Sequence, residues 1–149
     1  MSLAELEKRL QAIEDLEAIR NLHQNYINLM DNIRYDEVPD LFTDDAAVEV
    51  RNSGVKRGKK ELAEIYQMIK GMYKGGVARH IGHMCVEPDI NVNGNNAKGT
   101  WLIYFFDSKP TISWVQGINE CEYRKENGKW FISKLKFTRT LASDPSLYP

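Results

Sequence analysis

His80 and His83 form an H-x-x-H pair, one of the few spacings in this chain that invites chemistry. On a helix, positions i and i+3 share a face and could chelate a metal. The residues around this pair read as a strand, where the two point to opposite sides. No HExxH motif or carboxylate cluster accompanies them, so no metal site is expected. One of the two histidines can face the interior, but not both. A single inward imidazole is a candidate base, because it titrates near neutral pH; a hydrogen-bonded structural histidine leaves the same trace. Asp31 closes a long amphipathic segment, where its charge opposes the helix dipole. On a helical wheel His23, Ile27, Met30 and Asp31 fall within ~100°, so Asp31 borders the apolar stripe. Tyr26 lies ~140° from Asp31, and the two share an environment only if sheet wraps the helix on more than one side. On the last strand Phe131, Ser133, Leu135, Phe137 and Arg139 share a phase, the expected inner face. Arg139 then points inward at its end or snorkels at the rim. Trp101, Ile103 and Phe105 form another apolar face, and a pocket with such walls suits an apolar ring system better than a sugar or nucleotide.

The elements that must position these residues follow from periodicity. Leu3, Leu6, Leu10 and Ile13, then Ile19, Leu22, Tyr26, Ile27 and Met30, predict one helix over 3–32, with Ser2 and Glu5 as a capping box. Asp36 caps a short second helix that tolerates Pro39 only in its first turn. Residues 47–51 alternate as a strand, and a third helix is expected at 59–73, ended by Gly75-Gly76. The rest reads as strands over 79–87, 89–92, 97–106, 114–124 and 130–140, with turns at Asn93-Gly94 and Asn127-Gly128. Residues 1–140 are read as a single domain and 141–149 as an irregular tail. Helices first and meandering strands last predict an α+β fold.

Composition bounds the possibilities. The 149 residues suit one domain, large enough to bury ~68–70% of its unfolded surface. Lys plus Arg is 20 and Asp plus Glu is 21, a near-zero balance that gives no drive toward nucleic acid or anionic membrane. No run of 18 apolar residues exists to span a bilayer. The acidic N-terminus does not resemble a signal peptide, so a cytoplasmic location is expected, with Cys85 and Cys121 as buried thiols. GxGxxG, P-loop, G-x-S-x-G and kinase motifs are absent, and Lys56, Arg57, Lys59 and Lys60 read as a solvated helix start.

The order long helix, short helix, strand, helix, meander resembles the SnoaL-like branch of the nuclear-transport-factor-2-like superfamily. The resemblance covers about 3–140 and is carried by Asp15-Leu16-Glu17-Ala18-Ile19-Arg20, Leu41-Phe42-Thr43-Asp44-Asp45-Ala46 and Asn127-Gly128-Lys129-Trp130. It implies a cone-shaped, curved mixed β-sheet wrapped around the long helix, with a deep apolar pocket. Within that family the pattern is most similar to the bacterial bile acid 7α-dehydratases, and more distantly to the scytalone dehydratases. That similarity maps a Tyr-x4-Asp pair onto Tyr26 and Asp31. It maps the catalytic histidine of His-x-Gly-His onto His80, and an active-site arginine onto Arg139. The family's acid position falls on Phe105; Asp107, in the same strand phase, is its expected substitute. Gln116 stands near the position of a second histidine in the scytalone enzymes.

The implied activity is a lyase, needing no metal or organic cofactor, that eliminates water from a cyclic, largely apolar substrate: a steroid, a polyketide or a hydroxylated aromatic. His80 would be the base, Asp31 its orienting acid and Tyr26 a hydrogen-bond donor, while Trp101, Phe105, Asp107 and Phe137 would contact substrate. An isomerase or a non-catalytic binding domain is the alternative. The uncovered stripe Leu3, Leu6, Leu10, Ile13 and the resemblance together imply a homodimer or homotrimer.

Overall fold

In the computed structural model, residues 1–51, 53–72, 81–86, 88–108, 112–144 and 146 are described. The capping box forms: the Glu5 N–H donates to Ser2 Oγ and the Ser2 N–H to Glu5 Oε2. From it α1 runs over Leu3–Asp31, about 43 Å at ~1.5 Å per residue. Its first dozen residues are exposed, including the Leu3, Leu6, Leu10, Ile13 stripe at 46–73%. Burial begins at Asp15 and continues through Ile19, His23, Tyr26, Ile27 and Met30. The Asp15 carboxylate takes hydrogen bonds from Trp130 Nε1 at 2.9 Å and Lys125 Nζ at 2.7 Å. Burial opposes its ionisation, but these bonds and that of Gln11 outweigh it and hold the carboxyl below its usual range.

The expected short second helix is a 3₁₀ helix, Tyr35–Leu41, which follows Arg34 rather than an Asp36 cap and carries Pro39 beyond its first turn. β1, Phe42–Val50, starts five residues before the expected strand. A register shift between Phe42 and Ala47 interrupts alternation there and hides the start. β2 is only Lys56–Arg57, and α2 spans Gly58–Met72 with Leu62, Ile65 and Tyr66 buried. Gly75-Gly76, expected to end that helix, lies outside the described residues. Then come β3 (Ile81–Cys85), β4 (Asp89–Asn93), β5 (Asn96–Asp107), β6 (Ser113–Glu126) and β7 (Lys129–Ala142). The last strand runs two residues into the stretch expected to be irregular. The β6–β7 hairpin turns at Asn127-Gly128 as the sequence predicts; the β4–β5 hairpin turns one residue later than expected, at Gly94-Asn95, with Asn93 paired to Asn96. Asn127 and Gly128 are both at positive φ, +50° and +80°, as a tight right-twisted hairpin requires.

The sheet order is β2-β1-β7-β6-β5-β3, with β4 also on β5. β1 is parallel to β7 and every other pairing is antiparallel. α1 touches β7 on one side and β3 and β4 on the other, so the sheet curves around it. On β5 the odd positions Ala97, Trp101 and Ile103 are buried, as are Val115, Asn119, Cys121 and Tyr123 on β6. β7 corrects the predicted phasing. Ile132 faces Tyr123 but Lys134 faces Glu122, so Ser133 is an extra residue. Trp130 and Ile132 are buried before this bulge and Leu135 after it, while Phe131 and Ser133 are only half-buried. Phe137 and Arg139, beyond the bulge, keep the predicted face. No helix among the described residues is long and apolar enough to cross a membrane.

Candidate active site

The concave side of the sheet and the two helices enclose a cavity of about 320 Å³. Tyr26, Ile27 and Met30 of α1 form one wall, Ile65, Met68 and Ile69 of α2 another, and Ile103, Phe105, Val115 and Phe137 the sheet side. Its polar lining is sparse: Tyr26, Tyr35, Arg51, Ser53, His83 and Asn119.

His83 is bound to the end of α1. Its Nδ1 lies 2.5 Å from Asp31 Oδ1, and its backbone N–H donates to Asp31 Oδ2 at 3.2 Å. Asp31 and His83 keep 26% and 13% of their side-chain surface exposed, so solvent reaches the pair only in part. β3 is an edge strand whose outward N–H needs a partner, and the helix-end carboxylate supplies one. Across the sheet His83 is paired with Phe105, and the two rings stand 4.9 Å apart. Both therefore face inward. This corrects the expectation that His83 lies on the face away from the site. His80, the histidine expected beside Asp31, lies outside the described residues.

Tyr26 is buried and accepts a hydrogen bond from the Tyr66 hydroxyl at 3.2 Å, which leaves its own proton to donate. Burial pushes both phenols well above their usual range, so both stay protonated. The thiols are held protonated in the same way: burial lifts Cys85 to about 11, aided by the Asp31 charge, and Cys121 to about 12.

Phe105 and Phe137 line the cavity; Trp101, Asp107 and Arg139 do not. Trp101 belongs to the core instead. It stacks on His23 at 4.1 Å and 7° and donates from Nε1 to the Tyr123 hydroxyl at 2.8 Å. Asp107 is half-buried at the end of β5, opposite Ile81. Arg139 is half-buried at the end of β7, where burial and the neighbouring Arg51 charge disfavour its protonated form. Asn119, Tyr66 and His83 are members of the site that the sequence reading did not select. Asn119 carried a usable signal: it is the polar position in the buried series Val115, Gly117, Asn119, Cys121, Tyr123. Among the described residues no three His, Cys, Asp or Glu side chains converge as a metal site would require.

A family model for the SnoaL-like domain matches residues 11–136. The chain belongs to the SnoaL-like family. Solved structures share its fold. An NTF2-like protein with a cystatin-like fold from Novosphingobium aromaticivorans superposes with a TM-score of 0.79 at 18% identity, covering 97% of this chain and 94% of that one. A scytalone dehydratase candidate from the same organism gives 0.77 at 16%, with 89% of each chain covered. Hexachlorocyclohexane dehydrochlorinase LinA-type3 from Novosphingobium barchaimii gives 0.78 at 14%, covering 95% and 97%. At such identities the likeness carries the fold, and the chemistry of this SnoaL-like domain has to be argued from its own residues.

Proposed function

We propose that this domain is a dehydratase-like lyase acting on a cyclic, largely apolar substrate, with His83 as its base. The observation that carries this reading is the Asp31–His83 pair at the edge of an apolar cavity. With the Nδ1 proton shared toward Asp31, Nε2 presents its lone pair. His83 takes a proton from carbon, and the C–H electron pair becomes the new double bond. The adjacent C–O bond breaks, and its oxygen leaves as hydroxide held by the Tyr26 hydroxyl. The imidazolium returns its proton to that hydroxide, and water departs. Asp31 fixes the tautomer and stabilises the transient cation, as the acid does in a Ser-His-Asp triad. A donor such as Tyr26, aimed at charge developing in a dry site, contributes ~3–4 kcal/mol. The dehydrochlorinase and dehydratase names among the fold's relatives support an elimination. The mechanism uses no metal or organic cofactor. The same reading includes self-association through the exposed Leu3, Leu6, Leu10, Ile13 stripe, as a dimer or trimer.

The test is a screen of hydroxylated steroids, polyketides and aromatics with product mass measured. The expected product has lost one water. Asp31→Asn and His83→Ala should each lower turnover by ~10²–10⁴ while leaving circular dichroism unchanged. A product of unchanged mass would make the enzyme an isomerase that reprotonates the same intermediate. Full activity in His83→Ala would remove the proposed base.

A further inference from the structure

Arg51 follows β1 at φ +53°, a left-handed conformation that few non-glycine residues adopt. Its backbone N–H donates to the Phe137 carbonyl at 3.2 Å, which ties this turn to β7. β1 and β7 run parallel with Val50 beside Phe137. Arg139 is two residues further along β7 on the Phe137 face. Two guanidinium side chains therefore issue from the same end of neighbouring strands. This register sets Arg51 beside the Phe137–Arg139 stretch, and burial, and after it the Arg51 charge, disfavour the protonated form of Arg139. Arg51 borders the cavity together with Ser53. Among the described residues no carboxylate forms an ion pair with Arg51.

We propose that Arg51 and Arg139 form an anion subsite at the rim of the cavity, and that the substrate carries a carboxylate or phosphate at the end remote from His83. An arginine fork matches either group bidentately. His83 and Arg51 both line the cavity but reach it from different strands. His83 is on β3 and Arg51 follows β1, with β5, β6 and β7 between them. Four strand spacings of ~4.8 Å make ~19 Å along the sheet, shortened across its concave side. The ligand is therefore an apolar ring body with the reacting carbon at one end and the anion at the other. This assignment rests on the reading of the cavity as the substrate site.

The test titrates the full chain calorimetrically with naphthaleneacetic acid, its neutral amide and naphthyl phosphate. The wild type should bind at least one of the anions about tenfold more tightly than the amide. The tighter of the two says whether the group is a carboxylate or a phosphate. Arg51→Gln should bring acid, phosphate and amide within about twofold of one another without weakening the amide, and Arg51→Lys should keep part of the preference. Thermal melts of each variant establish that it is folded. Equal binding of the three probes by the wild type would overturn the subsite. So would a preference that survives in both Arg51→Gln and Arg139→Gln, or no binding of any probe at millimolar concentration. His83→Ala separates the two readings: it should lose turnover and keep the anion preference. A preference without any dehydration activity sinks the lyase and leaves the subsite standing.

Discussion

Replacing His23 with Phe should flatten the stability of this protein between pH 7 and pH 4.5. His23 is fully buried against the Trp101 ring, and burial pushes its pKa down to about 3. Its Nδ1 is 3.3 Å from the Tyr123 hydroxyl, and its Nε2 has no hydrogen-bond partner among the described residues. The ring is therefore folded as the neutral base, with nothing nearby to solvate a proton. An unfolded histidine titrates near ~6.5. Between those two values the unfolded chain binds a proton that the native chain refuses. Lowering the pH through this window therefore favours unfolding, and above it the effect vanishes. The slope approaches ~1.4 kcal/mol per pH unit once the unfolded histidine is mostly protonated, so moving from pH 7 to 4.5 costs about 2–3 kcal/mol. That is a large part of the ~5–15 kcal/mol that holds a domain together.

Asp15 and Asp45 act lower on the scale. Both have depressed pKa values, Asp15 through Lys125 and Trp130 against the opposing effect of burial, and Asp45 chiefly through Arg124. Their contribution is complete above the unfolded carboxyl value of ~3.9 and is lost only as pH falls below it. Phe at position 23 keeps a flat ring against Trp101 and cannot titrate. Urea unfolding of wild type and His23→Phe at pH 7 and pH 4.5 gives four free energies and one difference of differences. The wild type should lose about 2–3 kcal/mol more than the variant. Equal losses in the two proteins would refute the argument, because the buried ring would then be carrying its proton in the native state.

Two further outcomes are expected. In Gly117→Ala the new methyl would stand 2.2 Å from a Phe137 ring carbon and 2.8 Å from the Thr138 carbonyl oxygen, so ring and backbone must both give way. Urea unfolding should show a loss of ~1–3 kcal/mol, and probe binding should weaken because Phe137 lines the cavity. Sedimentation at micromolar concentration should give two or three times the 17.2 kDa chain mass, and Leu10→Glu should shift it toward a single chain; a 17.2 kDa species alone in the wild type would remove the apolar stripe as an interface.

Local signals carried most of the fold. The capping box, the apolar spacing of α1 and α2, and the two Asn-Gly turns are set within a few residues of themselves, so sequence alone reaches them. Two short stretches that carry the resemblance, Asp15-Leu16-Glu17 and Asn127-Gly128-Lys129-Trp130, lie 115 positions apart from Asp15 to Trp130 and meet in one hydrogen bond. Asp31 on the helix end was likewise legible, because an acid set against the dipole and beside an apolar stripe asks for a partner. What stayed hidden is phase. Trp101 shares the inward phase of Phe105, but distance along the strand decides whether an inward side chain meets the cavity or the helix. Trp101 meets His23; Phe105, four residues on, meets His83 and the cavity.

The resemblance maps the base onto His80, while the strand phase that turns His83 inward is hidden by the same kind of detail. Opposite β5, Cys85 lies across from Ile103 and Asp89 across from Thr100. Four steps along β3–β4 thus answer three along β5, which is one extra residue near Pro88. In β4 the positions that face the buried Ala97 and Gly99 are Val92 and Ile90. Counting back from these in twos, as an unbroken strand would require, makes position 83 an outward one. The extra residue reverses the alternation, and His83 faces Phe105 and the interior. No hydrophobic pattern announces this, since Ile81 and Cys85 in one phase and Met84 in the other are all apolar. The offset between the β3 and β4 registers therefore sets which face His83 presents, and with it the meeting of Asp31 and His83 at the cavity.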